Sequence, residues 1–208
     1  MSNERSIAKA LLETKAVFLN AKEMFTWASG IKSPIYCDNR ILLSFPKARS
    51  QVIDAFVEQI KAKFPDVTCI AGVATAGIAH AALIAERMNL PMIYIRSSAK
   101  DHGRSKQIEG RLESGAKIVV IEDLISTASS SLKAIDALKP ENVEILGLAA
   151  IFTYGLQKAE DNLAKAKLDY LTLSNYETLI DVALEEKYID AEELNILQEW
   201  KKSLLQTN

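Results

Sequence analysis

The sequence predicts an α/β fold, a parallel sheet with helices on both faces and a small N-terminal subdomain packed onto it. Two observations predict it. After residue 65, short apolar runs alternate with helically spaced segments, the pattern of βα units whose sheet is covered on both sides. Before residue 65 the chain is broken into short apolar and turn-like pieces that suit a small appended unit.

Taken in order, residues 4–15 place Ile7, Leu11 and Leu12 on one side of a helix. Val17 to Leu19 and Phe25 to Trp27 are short strand candidates, followed by the turn-rich run SGIKSPIYCDNR. Residues 46–64 read as a helix, with Pro46 in its first turn and Val52, Ile53, Phe56, Val57 and Ile60 at helical spacing. The strands VTCIAGV, PMIYIR, KIVVIED, EILGLAAIF and LDYLTLS follow. Helices are expected over ATAGIAHAALIAERM, from near Ser129, and near 155–166. The run from Asp190 to Leu205 puts Leu194, Leu197, Trp200 and Leu204 on one stripe, which predicts a packed terminal helix.

Composition narrows the function classes. The 208 residues can bury a core without disulfides or structural metal, and 49% apolar with 25% charged residues is ordinary for a globular protein. A net charge of -2 argues against duplex nucleic acid as the main partner, because phosphate neutralisation needs a basic surface. Cys37 and Cys69 form no CxxC pair, and His80 and His102 are not at zinc-finger spacing, so two reduced thiols are expected. The N-terminus mixes acids and bases and lacks the order of a signal peptide, and no run approaches about 18 uncharged apolar residues. The cytoplasm is the expected compartment, with no membrane partner. G-x-G-x-x-G and GK[ST] loops are absent, which disfavours a generic nucleotide-binding module.

The most informative stretch is KIVVIEDLISTASSSLKAID, residues 117–136. A buried strand, Lys117 to Ile121, is predicted to end in Glu122-Asp123, with a helix beginning near Ser129. Ligands of open parallel sheets bind beyond the carboxyl ends of the strands. Two acids there accept hydrogen bonds from sugar hydroxyls. Ser126, Thr127, Ser129, Ser130 and Ser131 crowd a helix start, whose N–H groups and hydroxyls form an anion site. Together these describe a pocket for ribose 5-phosphate. The alternative is that the acids cap the helix and the serines are plain loop residues.

Residues 118–130, IVVIEDLISTASS, resemble the signature with which type I phosphoribosyltransferases bind phosphoribosyl pyrophosphate (PRPP). Ala128-Ser129 stands where that signature commonly carries glycine. Residues 25–40, FTWASGIKSPIYCDNR, resemble the base-covering hood of the orotate phosphoribosyltransferases. Residues 95–110, IRSSAKDHGRSKQIEG, resemble their mobile catalytic loop, and GVATAGIAHAA, residues 72–82, their pyrophosphate loop. Without the resemblance, the basic run is a solvated loop and the glycines belong to a tight βα turn. Lys32 is retained, but Ala28, Ser97 and Tyr154 stand where many members carry basic residues, and many also have a lysine near Thr75.

The resemblance implies one phosphoribosyltransferase domain over 1–208. About 1–65 would supply the hood and flanking helices, about 66–175 the PRPP-binding core, and 176–208 the C-terminal helices. It implies transfer of the phosphoribosyl group from PRPP to orotate. Arg96, Lys100 and His102 are the implied catalytic residues. PRPP would be bound by these three and by Glu122, Asp123, Leu124, Ile125, Ser126, Thr127, Ala128, Ser129 and Ser130, and orotate by Ser126, Ile35 and Tyr36. Mg²⁺ is the implied cofactor, held by PRPP and water and not by direct protein ligands. A homodimer with active sites shared between subunits is the implied assembly. The competing expectations are a phosphoribosyltransferase for a purine base, and a PRPP-sensing regulator without catalysis. The hood and KDHG segments speak against the first, and the slightly negative charge and the absence of an added helix-turn-helix region speak against the second.

Overall fold

The structure is a computed structural model that describes residues 3–26, 32–97 and 107–206. The chain begins with α1 (Asn3–Glu13), four short strands, β1 (Val17–Leu19), β2 (Phe25–Thr26), β3 (Lys32–Ser33) and β4 (Ile35–Cys37), and a 3-10 helix over Asn39–Ser44. Helix α2 (Pro46–Lys63) leads into β5 (Cys69–Val73), α3 (Ala76–Met88), β6 (Met92–Ile95) and the short β7 (Ile108–Glu109). Then come β8 (Lys117–Ile125), α4 (Ser129–Asp136), β9 (Glu144–Thr153), α5 (Gln157–Ala166), β10 (Tyr170–Asn175), α6 (Tyr176–Glu185) and α7 (Ala191–Gln206).

The main sheet has six strands in the order β10-β9-β8-β5-β6-β7, parallel except for the β6–β7 edge pair. Period-2 alternation divides β8 between two cores. Val119 and Ile121 pack with α1, α2, α3, α6 and α7, whereas Ile118 and Val120 pack with α4 and α5. This is the doubly covered α/β sheet that the alternating runs predict. Two small antiparallel pairs lie outside it, β1 with β4 and β2 with β3. Pro46 opens α2 as expected, at a position where its missing N–H costs nothing. Among the described residues no helix is long and apolar enough to cross a membrane.

One strand runs longer than its sequence expectation. β8 does not end in the Glu122-Asp123 pair but continues to Ile125, because β9 is long enough to pair with it as far as Ile125↔Thr153. The two acids therefore lie within the strand and not at its end.

Helix α3 buries His80 completely, and neither ring nitrogen has a hydrogen-bond partner among the described residues. Burial moves its pKa from 6.5 to about 4. An unfolded chain takes up a proton below the ordinary value and the folded chain does not. Stability is therefore whole above pH 6.5 and falls as the pH drops toward 4. By about pH 5 the loss should reach roughly 2 kcal/mol. Replacing His80 by Leu should flatten this part of the profile, measured as urea midpoints from neutral to mildly acid pH. Equal slopes in both proteins would remove His80 as the cause.

Candidate functional site

The strand order reverses between β5 and β8. From β5 the chain continues through α3 to β6 on one side, and from β8 through α4 to β9 on the other, with α3 and α4 on opposite faces of the sheet. A crevice opens beyond the carboxyl ends at such a switch point. Its walls are the loop at Ala74-Thr75 and the loop at Ser126–Ala128, which places two of the sequence-predicted segments side by side. The Ala74–Thr75 peptide is cis. A cavity of about 240 Å³ reaches from here along Val73, Ala74, Arg96, Gln107, Ser130 and Lys133. Larger hollows lie elsewhere among the described residues; those of about 500 Å³ sit between α1 and the start of α2 and between α6 and α7. Neither touches the strand ends.

The two acids differ in exposure. Glu122 turns toward α4 and is only 6% exposed. Its Oε2 accepts from Ser131 Oγ at 3.2 Å and its Oε1 from the Asp123 N–H at 3.1 Å. Asp123 is half-buried and faces the N-terminal segment, where its carbonyl accepts from Asn39 Nδ2 at 2.8 Å. Burial pushes both carboxyls above the ordinary range, and the charge of Asp123 pushes Glu122 further. The pair thus holds a proton more readily than two free carboxylates. Arg40, paired with Asp38 at 2.7 Å, pulls Asp123 back down. Asp123 presents the more surface, and Glu122, its carboxyl against that of Asp123, braces the start of α4 through Ser131.

Ser126 and Thr127 are partly exposed, and Ser129 and Ser130 are exposed. The N–H groups of Ser129 to Ser131 precede the first helical bond of α4, from Leu132 N to Ala128 O at 2.9 Å, and so have no helical partner among the described residues and can meet an anion. Asn162 Nδ2 holds the Thr127 carbonyl at 2.9 Å, and Thr153 Oγ1 holds that of Ile125 at 3.1 Å. Ala128 sits at φ 60°, a left-handed conformation that accounts for the glycine common at this point in the signature. Leu124 packs against the core and Ile125 is buried, so these two offer the site backbone only.

Arg96 closes a neck with Gln107: its N–H donates to Gln107 O at 2.8 Å, and Gln107 Nε2 donates back to Arg96 O at 3.2 Å. Its buried Nη1, 3.6 Å from Glu109 Oε1, has no hydrogen-bond partner among the described residues. Lys100 and His102 lie outside the described residues, as do Ala28 and Gly30. Tyr36 is 43% exposed, with its ring 5.9 Å from that of Phe25. Ile35 is fully buried, so it offers no side chain to a base. Cys37 and Cys69 are free thiols, both pushed up by burial.

Sequence reasoning did not assign Asn39, which ties the 3-10 helix to the Asp123 backbone. Its signal was present in the CDNR run, a polar cluster beside apolar residues, but nothing local says that the Asn39 amide crosses to a strand 84 residues away.

Residues 44–187 match the model of the phosphoribosyl transferase domain. The chain is similar to the orotate phosphoribosyltransferase of Listeria innocua, 55% identical over 98% of this chain and 97% of that one. It is also similar to the orotate phosphoribosyltransferase of Enterococcus faecalis, 57% identical over 95% and 94%. The crystal structure of orotate phosphoribosyltransferase from Aeropyrum pernix superposes with a TM-score of 0.76 at 27% identity, covering 88% of this chain and 99% of that one.

Proposed function

Since the chain belongs to the phosphoribosyl transferase domain family, and within it to the orotate phosphoribosyltransferases, we propose that the crevice between β5 and β8 is where its reaction runs. The protein transfers the 5-phosphoribosyl group of PRPP to orotate, giving orotidine 5'-monophosphate and pyrophosphate, a step of pyrimidine biosynthesis. The ribose C1–O bond to pyrophosphate breaks and a C1–N bond to the base forms.

The observation that carries the site is the meeting, at one switch point, of a partly exposed carboxylate with the free N–H groups of a helix start. Asp123 takes the ribose hydroxyls and Glu122 holds Asp123 and Ser131 in register. The 5-phosphate sits on Ser126 to Ser130, with Leu124, Ile125 and Ala128 contributing backbone. Orotate lies against Ser126, Tyr36 and the backbone of Ile35. The Arg96 guanidinium, whose Nη1 is in ion-pair range of Glu109 but makes no hydrogen bond among the described residues, suits a pyrophosphate oxygen, and Lys100 and His102 join it from the loop outside the described residues. Positive charge builds on the ribose and negative charge on the leaving pyrophosphate, so cations fixed in advance lower the barrier. Mg²⁺ prefers phosphate oxygens and water over protein cages, and when bound it would neutralise the pyrophosphate. A loop closing over the site would exclude water that otherwise hydrolyses PRPP. The reading includes a cytoplasmic homodimer in which that loop serves the neighbouring subunit.

The test is a spectrophotometric assay of orotate consumption with PRPP and Mg²⁺, run beside adenine, hypoxanthine, xanthine and uracil. Orotate should be consumed only when PRPP is present. No orotate loss, or preferential use of a purine, would sink the reading. Mixing an inactive Lys100 variant with an inactive Asp123 variant tests the shared sites, since hybrid dimers should regain activity. Hybrids that form without recovery would place each site within one chain.

A further inference from the structure

The β2–β3 pair has two residues per strand, too few to hold a shape unaided. Its support comes from the far end of the chain. Trp200 on α7 is 8% exposed, and its Nε1–H donates to the Lys32 carbonyl at 2.8 Å across 168 residues of sequence. From Lys32 the chain is stiff as far as the exposed Tyr36. The buried Ser33 hydroxyl donates to the Ile35 carbonyl at 2.9 Å and accepts from the Ile35 N–H at 3.2 Å. The Pro34 carbonyl accepts from Asn20 N at 2.8 Å, and β4 pairs with β1.

The other side of the indole is fixed as well. The Tyr176 ring lies 5.7 Å from that of Trp200, and its hydroxyl donates to Leu197 O at 3.0 Å inside the α6–α7 corner. Lys201, the next residue, pairs with Glu177 and lies over the Tyr176 ring at 5.5 Å. Its Nζ comes within 3.1 Å of where a Cβ on Gly155 would be, at the loop leaving β9. One turn of α7 therefore touches both the β3 backbone and the carboxyl end of the sheet.

We propose that Trp200 is a positioning residue for the base: through the Lys32 carbonyl, α7 fixes the height of the β3–β4 segment above the strand ends. The affinity for orotate follows from that height. This rests on reading the segment as the cover of the base, so the experiment carries one readout that needs no substrate. Trp200→Phe keeps a ring against Tyr176 and removes the donor together with the pyrrole part of the indole. Loss of one neutral hydrogen bond should raise the KM for orotate about three- to tenfold. The KM for PRPP should stay within about twofold, since the residues proposed for the ribose and its 5-phosphate run from β8 to the start of α4 and Arg96 follows β6, none of them on β3 or β4. Tyr176→Phe loosens the same helix corner without touching Lys32 and should leave both KM values alone. In ligand-free Trp200→Phe, amide exchange over residues 32–36 should quicken, and in Tyr176→Phe it should not.

Unchanged exchange in Trp200→Phe would overturn the anchor. Parallel rises in both KM values, or equal effects of the two variants, would overturn base positioning in favour of general loosening. A wild-type protein without orotate turnover would fail the functional reading instead, and the exchange experiment would still decide the anchor.

Discussion

Replacing Asp123 by Asn is expected to lower kcat/KM for PRPP by roughly ten- to a hundredfold while the fold survives, the effect of losing a charged acceptor worth roughly 1.5–3 kcal/mol. The neighbouring acid offers no rescue. Glu122 is 6% exposed and its two oxygens are engaged by Ser131 and the Asp123 N–H. An asparagine also brings an N–H₂ group toward hydroxyls that need an acceptor. Stability should move the other way. Burial raises the Asp123 pKa, so the folded state is penalised as the pH climbs through that raised value. Removing the charge lifts that penalty and separates Glu122 from a like neighbour. A protein less active yet more resistant to urea at mildly alkaline pH is the combined signature. Calorimetry showing unaltered PRPP affinity together with an unaltered rate would dismiss Asp123 from the site.

The same pair shows how far the sequence carries. The apolar run, the E-D pair and a helix starting at Ser129 were all legible, and the structure begins α4 at that residue. What was not legible was where β8 stops, because strand length is set by the pairing partner and not by the run itself. Reading the strand as ending in Glu122-Asp123 places both acids at its last positions. Pairing with β9 through Thr153 keeps them in the strand, where the two carboxyls stay within hydrogen-bonding reach of each other. Glu122 is the more deeply buried of the two, held by Ser131 and the Asp123 N–H, which no local run announces. Ile35 is a similar case: the resemblance implied it as an orotate contact, but pairing of Leu19 with Ile35 carries that side chain into the core and leaves its backbone for the base. The apolar stripe of α7 was read correctly, and the burial of Leu197 and Trp200 agrees with it. The bond from Trp200 to Lys32 joins the two ends of the chain and has no local signal at all. Strand order belongs to the same class, because short apolar runs say that strands exist and connection rules only narrow how they line up.

Gly77 is expected to tolerate no side chain. A Cβ there would lie 2.4 Å from the Ile121 carbonyl oxygen and 3.5 Å from the Glu122 Cα. Both atoms are backbone of the central strand, so no rotamer change relieves the clash, and α3 or β8 must shift. Overpacking of this kind costs roughly 1–3 kcal/mol, and the better helix propensity of alanine returns about 1 at most. Gly77→Ala should therefore lower the urea midpoint clearly. The larger effect should fall on activity. The residue is the second of α3, directly after the Ala74-Thr75 loop, and the strand it would push carries Glu122 and Asp123 at the next positions. Forcing α3 off β8 moves the two walls of the crevice apart. A displacement near 1 Å at reacting groups costs on the order of a hundredfold in rate. Assays at a temperature where the variant is fully folded separate the two effects. A large activity loss in folded protein fits a close approach that shapes the crevice. A loss that merely tracks the unfolded fraction would confine Gly77 to packing.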